Sequence, residues 1–252
     1  MRQSGPEWKN YERLVAKLVA QQLSTDYCVT PNARISGALS GLNRQIDVLI
    51  DMRHDTDNSR RIIIDAKARS RRIDVTHVEA FRGLMEDVGA THGYLVCPHG
   101  HTAAAQRRAQ DTVSIRLLPL DRLDDFDPSV WPDCTAVECR GGKVFWSGYP
   151  SIDAHVVSCL GNSEQMRCIS FIQYVGKCDR CHYFHVRCLA CRELFSLSHK
   201  SNDEGYQCRC RKPWFWLASL ETDDTGRKSA ELHLVTALDG RVHVRTVDRR
   251  SM

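Results

Sequence analysis

Three polar residues interrupt two apolar stretches. Asp47 lies in Ile46-Asp47-Val48-Leu49-Ile50, Asp65 lies in Ile62-Ile63-Ile64-Asp65-Ala66, and Lys67 follows Asp65 by two positions. A carboxylate inside a β-branched run is costly to bury unless it is paired or bound to a metal. Two such carboxylates are hard oxygen ligands of the kind Mg2+ takes, an ion that keeps several waters and bridges to phosphate. An ammonium beside them would hold an attacking water or offset charge developing on a phosphoryl group. The same pattern also suits an ordinary hairpin whose two Asp face solvent and whose Lys67 begins a basic loop.

A second group of residues with metal chemistry lies between Cys178 and Cys210, CDRCHYFHVRCLACRELFSLSHKSNDEGYQCRC. Cys188-x2-Cys191 and Cys208-x-Cys210 are sixteen residues apart. That is the spacing of a zinc ribbon, in which two tight turns present four thiolates tetrahedrally. Cys178-x2-Cys181 is a third knuckle. It either replaces Cys188 and Cys191 in the ribbon or binds a second metal with His182, His185 or His199. A closed site of four thiolates folds its domain and does no chemistry. Cys97, near His99 and His101, ends an apolar strand and reads as a small buried hydrophobe.

These residues need elements to carry them. The two apolar runs around Asp47 and Asp65 are joined by the polar segment 51–61, which predicts a hairpin. Side-chain alternation puts Asp65 and Lys67 on one face, and antiparallel pairing brings Asp47 beside them. Segment 7–23 carries Trp8, Tyr11, Leu14, Val15, Leu18, Val19 and Leu23 at helical spacing, with Glu12 near its start. A strand over 27–35 is expected to break at Pro31, and 36–43 is rich in turn residues. A helix over 74–90, capped by Asp74 or Thr76 and closed by Gly89, should carry His77 on its surface. Beyond it the pattern predicts a strand over 93–98, a helix over 102–110 and a strand over 114–120. The fold class is therefore α/β, a mixed-sheet core of αβββαβ type continued by a further helix and strand, then a small β-rich zinc-ribbon domain.

The D-(x)n-D-x-K pattern formed by Asp47, Asp65 and Lys67 resembles that of PD-(D/E)xK nucleases. The flanking VEAFRGLMEDVGATHGYLV and HTAAAQRRA resemble the Mrr-like restriction endonuclease family. The resemblance covers residues 7–120. It implies a restriction-endonuclease-like fold and a DNA endonuclease dependent on Mg2+ or Mn2+. Asp47, Asp65 and Lys67 would be catalytic, Glu12 in YERLV would reach the metal from the first helix, and the role would be defence against foreign DNA. Two departures stand out: Asp65 occupies a position where Glu or Gln is more usual, and GLNRQ replaces a GDGG-like turn before Asp47.

Length and composition set the remaining bounds. A chain of 252 residues accommodates one large or two modest domains, and its apolar and charged fractions, 42% and 26%, are those of a globular protein. MRQSGPEWKN has no apolar leader core and no apolar run approaches a membrane span, which predicts a cytoplasmic protein that does not engage a membrane. Twelve Cys crowded in this way favour metal over disulfides in a reducing compartment. The predicted division is a nuclease-like domain over 1–120, an acidic linker with short strands over 121–165, and a zinc-ribbon and hairpin domain over 166–252. Segment 123–139 reads as a linker or docking segment that Phe126, Val130 and Trp131 can pin. Short strands are predicted over 141–149 and 154–160.

Residues 167–212 carry nine basic and four acidic groups, and Tyr183, Phe184, Trp214, Phe215 and Trp216 lie among or beside them. Bases and phosphates could be gripped there, although about two-thirds of such aromatics should fill the core of a metal-stapled domain. The Asp239-Gly240 turn in ELHLVTALDGRVHVRTV predicts a hairpin. DNA is the expected partner, with a homodimer or protein partner possible through the C-terminal domain. The rival reading is a catalytically inactive nuclease fold serving as a nucleic-acid-binding or adaptor protein. A zinc-ribbon protein working on RNA is a third.

Overall fold

The computed structural model describes residues 7–23, 26–53, 60–66, 71–109, 113–117, 131–146, 151–160, 163–200, 205–210, 214–224, 226–238 and 241–252. The chain forms two compact units, Met1–Pro132 and Asp133–Ser251. Among the described residues no helix is long and apolar enough to cross a membrane.

The first unit runs α1 (Glu7–Gln22), β1 (Tyr27–Ser36), β2 (Asn43–Met52), β3 (Ile62–Ala66), α2 (Val75–Val88), β4 (His92–Cys97), α3 (Ala103–Ala109) and β5 (Val113–Leu117). The strands form one sheet in the order β1-β2-β3-β4-β5. β1, β2 and β3 pair antiparallel, as hairpin connections allow. β3, β4 and β5 pair parallel, because α2 and α3 supply the crossovers that parallel neighbours require. Pro31 does not break β1. It pairs opposite Val48 within a continuous strand at the sheet edge, where a missing N–H leaves few ladder bonds unmade.

The helical spacing in α1 buries Tyr11, Leu14 and Val15, and the helix packs against β1, β2 and β3. On α2, Val78, Phe81, Met85 and Val88 join Ile46, Leu49, Ile63, Leu95 and Val113 in one apolar cluster. Each such side chain contributes roughly 1.5–3 kcal/mol by leaving water. Asp74 caps α2 by accepting the His77 N–H at 3.1 Å, and its Oδ1 lies 2.6 Å from His77 Nδ1. Gly89, at φ 67°, ends the helix in the left-handed region. Arg61 clamps three elements together: Nε and Nη2 donate to the two oxygens of Asp51 at 2.9 and 3.2 Å, and Nη1 donates to the Val88 carbonyl at 2.8 Å.

The second unit contains β6 (Val144–Trp146), β7 (Ser151–Leu160), β8 (Ser163–Cys178), β9 (Phe184–Cys188), β10 (Leu194–Leu197), β11 (Gly205–Tyr206), β12 (Trp214–Thr222), β13 (Lys228–Leu238) and β14 (Arg241–Ser251). One sheet has the order β10-β9-β8-β6, with β7 also paired to β8, and the other has the order β11-β12-β13-β14. β13 and β14 pair from Leu238↔Arg241 outward, as a two-residue connection requires. Asp239 and Gly240 lie outside the described residues. A fully buried ion pair joins the two sheets: Lys177 Nζ on β8 reaches Asp248 Oδ1 and Oδ2 on β14 at 3.1 and 3.0 Å, and the Arg249 carbonyl at 3.1 Å. Lys177 counts among the basic residues of 167–212, but its burial removes it from any nucleic-acid surface.

Candidate active site and metal centres

In the first unit, Asp47 and Asp65 sit on neighbouring strands. The antiparallel register runs as far as Val48↔Ile64, the residues adjacent in sequence to Asp47 and Asp65. Asp47 Oδ2 accepts the backbone N–H of Ala66 at 2.8 Å, so the carboxylate reaches across to β3 immediately beside Asp65. Asp65 itself pairs with Leu95 of β4. Asp47 and Asp65 therefore sit on adjacent strands where the antiparallel half of the sheet joins its parallel half. Both side chains are half-buried. Two carboxylates on adjacent strands are a donor set for a hard divalent cation, and these residues fit Mg2+ or Mn2+. Glu12 lies half-buried on α1. Among the described residues it does not join Asp47 and Asp65 in a cluster of three or more ligand groups; the two such clusters are each made of four cysteines. Lys67 lies outside the described residues.

Cys97 Sγ donates to the Gly100 carbonyl at 3.3 Å, and burial raises its pKa. A thiol so placed is a packed core group rather than a nucleophile.

The first thiolate cluster of the second unit comprises Cys134, Cys139, Cys178 and Cys181. Four sulfurs held about 2.3 Å from one tetrahedral centre lie about 3.8 Å from each other. Cys134 and Cys181 are 3.6 Å apart, sulfur to sulfur, and Cys139 and Cys178 are 3.7 Å apart. These separations are far beyond the roughly 2.05 Å of a disulfide. Local hydrogen bonds shape the loop 134–142 and the knuckle 178–181, and one from Lys143, just past the loop, joins them. The Arg180 N–H donates to Cys178 Sγ at 3.3 Å, the Ala136 N–H to Cys134 Sγ at 3.4 Å, and the Lys143 N–H to Asp179 Oδ1 at 2.8 Å. A Cβ on Gly142 would meet the sulfurs of Cys178 and Cys139, so only glycine leaves room for them. Burial pushes the Cys134 thiol up to about 12, and a bound cation is what would hold such a group as thiolate.

The partners of Cys178 and Cys181 are thus Cys134 and Cys139, and among the described residues no histidine is part of the set. His185 is buried behind Cys134, with Nε2 3.4 Å from its sulfur and Nδ1 3.0 Å from the Tyr183 carbonyl. Burial lowers its pKa to about 4. His199 lies edge-on to Tyr183 at 5.6 Å. His182, the residue after Cys181, has a positive φ of 64°. The segment read as a linker therefore supplies two ligands. Cysteine arithmetic held the signal: six clustered Cys leave two over after one four-thiolate site, and Cys134-x4-Cys139 is a nearby pair of knuckle-like spacing.

The second cluster is Cys188, Cys191, Cys208 and Cys210, the set expected of the ribbon. Cys188 Sγ and Cys210 Sγ are 3.7 Å apart, and burial pushes Cys208 up to about 12. The residue after its first knuckle, Arg192, repeats the left-handed conformation of His182, with φ 60°. Glu193, which sequence reasoning passed over, binds the two knuckles together. Its Oε2 accepts the Arg209 N–H at 2.7 Å, its Oε1 accepts the Tyr206 hydroxyl at 2.8 Å, and its backbone carbonyl accepts the Cys188 N–H at 2.9 Å. The Arg209 N–H, followed by the Tyr206 hydroxyl, lowers the Glu193 pKa. Phe195 and Tyr206 stack at 4.2 Å beside the cluster.

Tyr183, Phe184 and Trp216 are buried and Phe215 is 38% exposed, so the described aromatics of this unit mainly fill its core. Trp214 lies on β12, and its side chain is outside the described residues. Arg180, Arg187, Arg192, Lys200 and Arg209 are exposed.

Residues 5–126, just under half of the chain, match the family model described as a restriction endonuclease, of the Mrr catalytic type. A crystal structure titled as a protein of unknown function, AF1548, is similar over 53% of this chain and 73% of its own, at 14% identity and a TM-score of 0.36. No curated protein matches the chain.

Proposed function

We propose that the chain is a cytoplasmic endodeoxyribonuclease that hydrolyses phosphodiester bonds with Mg2+ or Mn2+, serving restriction of foreign DNA. The observation that supports this reading is the reach of the Asp47 carboxylate across to the Ala66 N–H, next in the chain to Asp65, within residues that match a restriction endonuclease model. A divalent ion bound there would polarise the phosphoryl oxygens and lower the pKa of a bound water. Asp47 and Asp65 would orient that ion, with Asp47 pinned by the Ala66 N–H so that its carboxylate is aimed before the ion arrives. Lys67 would offset charge on the phosphoryl group, and Glu12 would lend a further carboxylate from α1. The second unit would hold two structural zinc ions, one per thiolate cluster. Its exposed Arg and Lys would add grip on the DNA backbone, or meet a protein partner or a second copy.

The test is nicking of supercoiled plasmid in Mg2+ or Mn2+. Asp65→Ala should fall to background while melting at the wild-type temperature. Full cleavage by Asp65→Ala, or cleavage in EDTA, would remove the catalytic role from this site.

A further inference from the structure

We infer that the loop Gly37–Leu42, between β1 and β2, is a preorganised apolar wedge that enters duplex DNA, with Leu39 and Leu42 as the inserting side chains. The inference rests on the nuclease reading and names how that same domain grips its substrate.

Leu39 is 71% exposed and Leu42 61% exposed. Each would be stabilised by burial, yet the loop holds both in water in a fixed shape. Gly37 N–H donates to the Leu42 carbonyl at 2.8 Å, and Gly41 N–H to the Gly37 carbonyl at 2.9 Å. Asp87, buried near the end of α2, anchors the tip. Its Oδ1 accepts the Leu39 and Ser40 N–H groups at 3.1 and 2.9 Å, its Oδ2 accepts the Ser40 hydroxyl at 2.7 Å, and its backbone carbonyl accepts the Ala38 N–H at 2.6 Å. A Cβ at Gly37 would collide with the Asp87 carboxylate, so the loop closes on Asp87 only because that residue is glycine. Ordering backbone costs conformational entropy at every residue. Here that cost serves to present two leucines, which is the preorganisation a binding element needs.

The charge around the tip selects the partner. The stretch from Arg34 to Gln45, RISGALSGLNRQ, has two arginines and no acidic residue. Arg34 is exposed, and Arg44, whose Nε lies 3.3 Å from Asp87 Oδ2, keeps 33% of its side chain exposed. Apolar wedges flanked by cations suit a kinked duplex, where leucine enters between base steps and arginine meets phosphate. Leu42 and Asp47 are five positions apart, at most about 18 Å of chain. That is less than one DNA turn of about 34 Å, so a single duplex can meet both.

The experiment uses the full chain and a short duplex labelled at both ends, with EDTA present. Anisotropy reads affinity, and end-to-end energy transfer reads bending. The wild type should bend the duplex. Leu39→Ala with Leu42→Ala should bind about tenfold or more weaker and leave the duplex straight, with an unchanged melting temperature. The conservative pair Leu39→Met with Leu42→Met should keep both signals. Gly37→Ala, which retains both leucines but displaces Asp87, should lose the bend. A straight duplex with the wild type overturns the wedge, as does a double alanine variant with wild-type affinity and bend. A double alanine variant that turns a dimer into a monomer and still bends DNA also overturns it, and assigns the leucines to a second copy of the chain. If plasmid nicking is present in the wild type and lost in Asp65→Ala, a negative result here removes only the wedge. If the wild type neither cuts nor binds DNA, the nuclease reading falls first.

Discussion

The two halves of this chain hold their candidate metals for opposite reasons. In the first unit the sheet exists without the site: α1, α2 and α3 bury an apolar core on β1–β5, and Asp47 and Asp65 are two polar positions on strands already fixed by their neighbours. In the second unit the site is the framework. Loop 134–142 and the turns at 178–181, 188–191 and 208–210 are brought into two clusters by their cysteines, four to each. Oxygen ligands on a rigid scaffold leave room for water and substrate, whereas four thiolates close a metal off and convert its binding energy into folding energy. Removing a ligand should therefore cost activity in the first unit and structure in the second.

The sharpest break of this comparison is chelation. Two equivalents of zinc per chain are expected by metal analysis. Stripping them should make 133–251 sensitive to protease and leave the first unit's thermal transition in place, because structural zinc supplies on the order of 10 kcal/mol. Cys178→Ser should lower the content to about one equivalent. One equivalent in the wild type would undo the pairing of Cys134 and Cys139 with Cys178 and Cys181. Next in size is Asp65→Ala, whose loss of nicking without loss of stability marks the first unit as the contrasting case.

Asp248→Ala should come third. It leaves the Lys177 ammonium buried without its carboxylate, a loss of about 3–5 kcal/mol, visible as a large drop in the second unit's denaturant midpoint. Replacing both partners by apolar residues should recover much of it. A smaller effect is expected for Arg209, whose side chain is 82% exposed. If it meets a phosphate, Arg209→Gln should reduce the log–log salt slope of duplex binding by about 0.9. An unchanged slope would leave that face to a protein partner.

The smallest effect concerns acid. The Ser40 hydroxyl, then the Ser40 and Leu39 N–H groups and Arg44, hold the Asp87 carboxyl below the usual carboxylate range. A lowered folded-state pKa contributes stability above the unfolded pKa and loses it as pH falls through the folded one. Asp87→Asn should therefore reduce stability at neutral pH and flatten its decline below about pH 4. Parallel stability curves for the two proteins across that range would show that Asp87 does not couple the loop to pH.

The sequence by itself determined whatever depends on near neighbours. Helical spacing and the Asp74 cap specify α1 and α2, alternation and β-branching specify β2 and β3, and a hairpin necessarily brings Asp47 toward Asp65. The ribbon cysteines were legible because each knuckle is a local turn of fixed length. Pro31 misled because a single residue does not reveal whether its strand lies at an edge, where proline is tolerated. Tertiary structure alone decided what joins residues far apart in the chain. Cys134 meets Cys181 across 47 positions, Lys177 meets Asp248 across 71, and Asp87 closes on Ser40 across 47. No periodicity encodes such meetings, because they depend on which strands pair and how helices lie on them. Closing loops of this length costs entropy that the assembled core offsets, and that metals held by the two cysteine clusters would offset further.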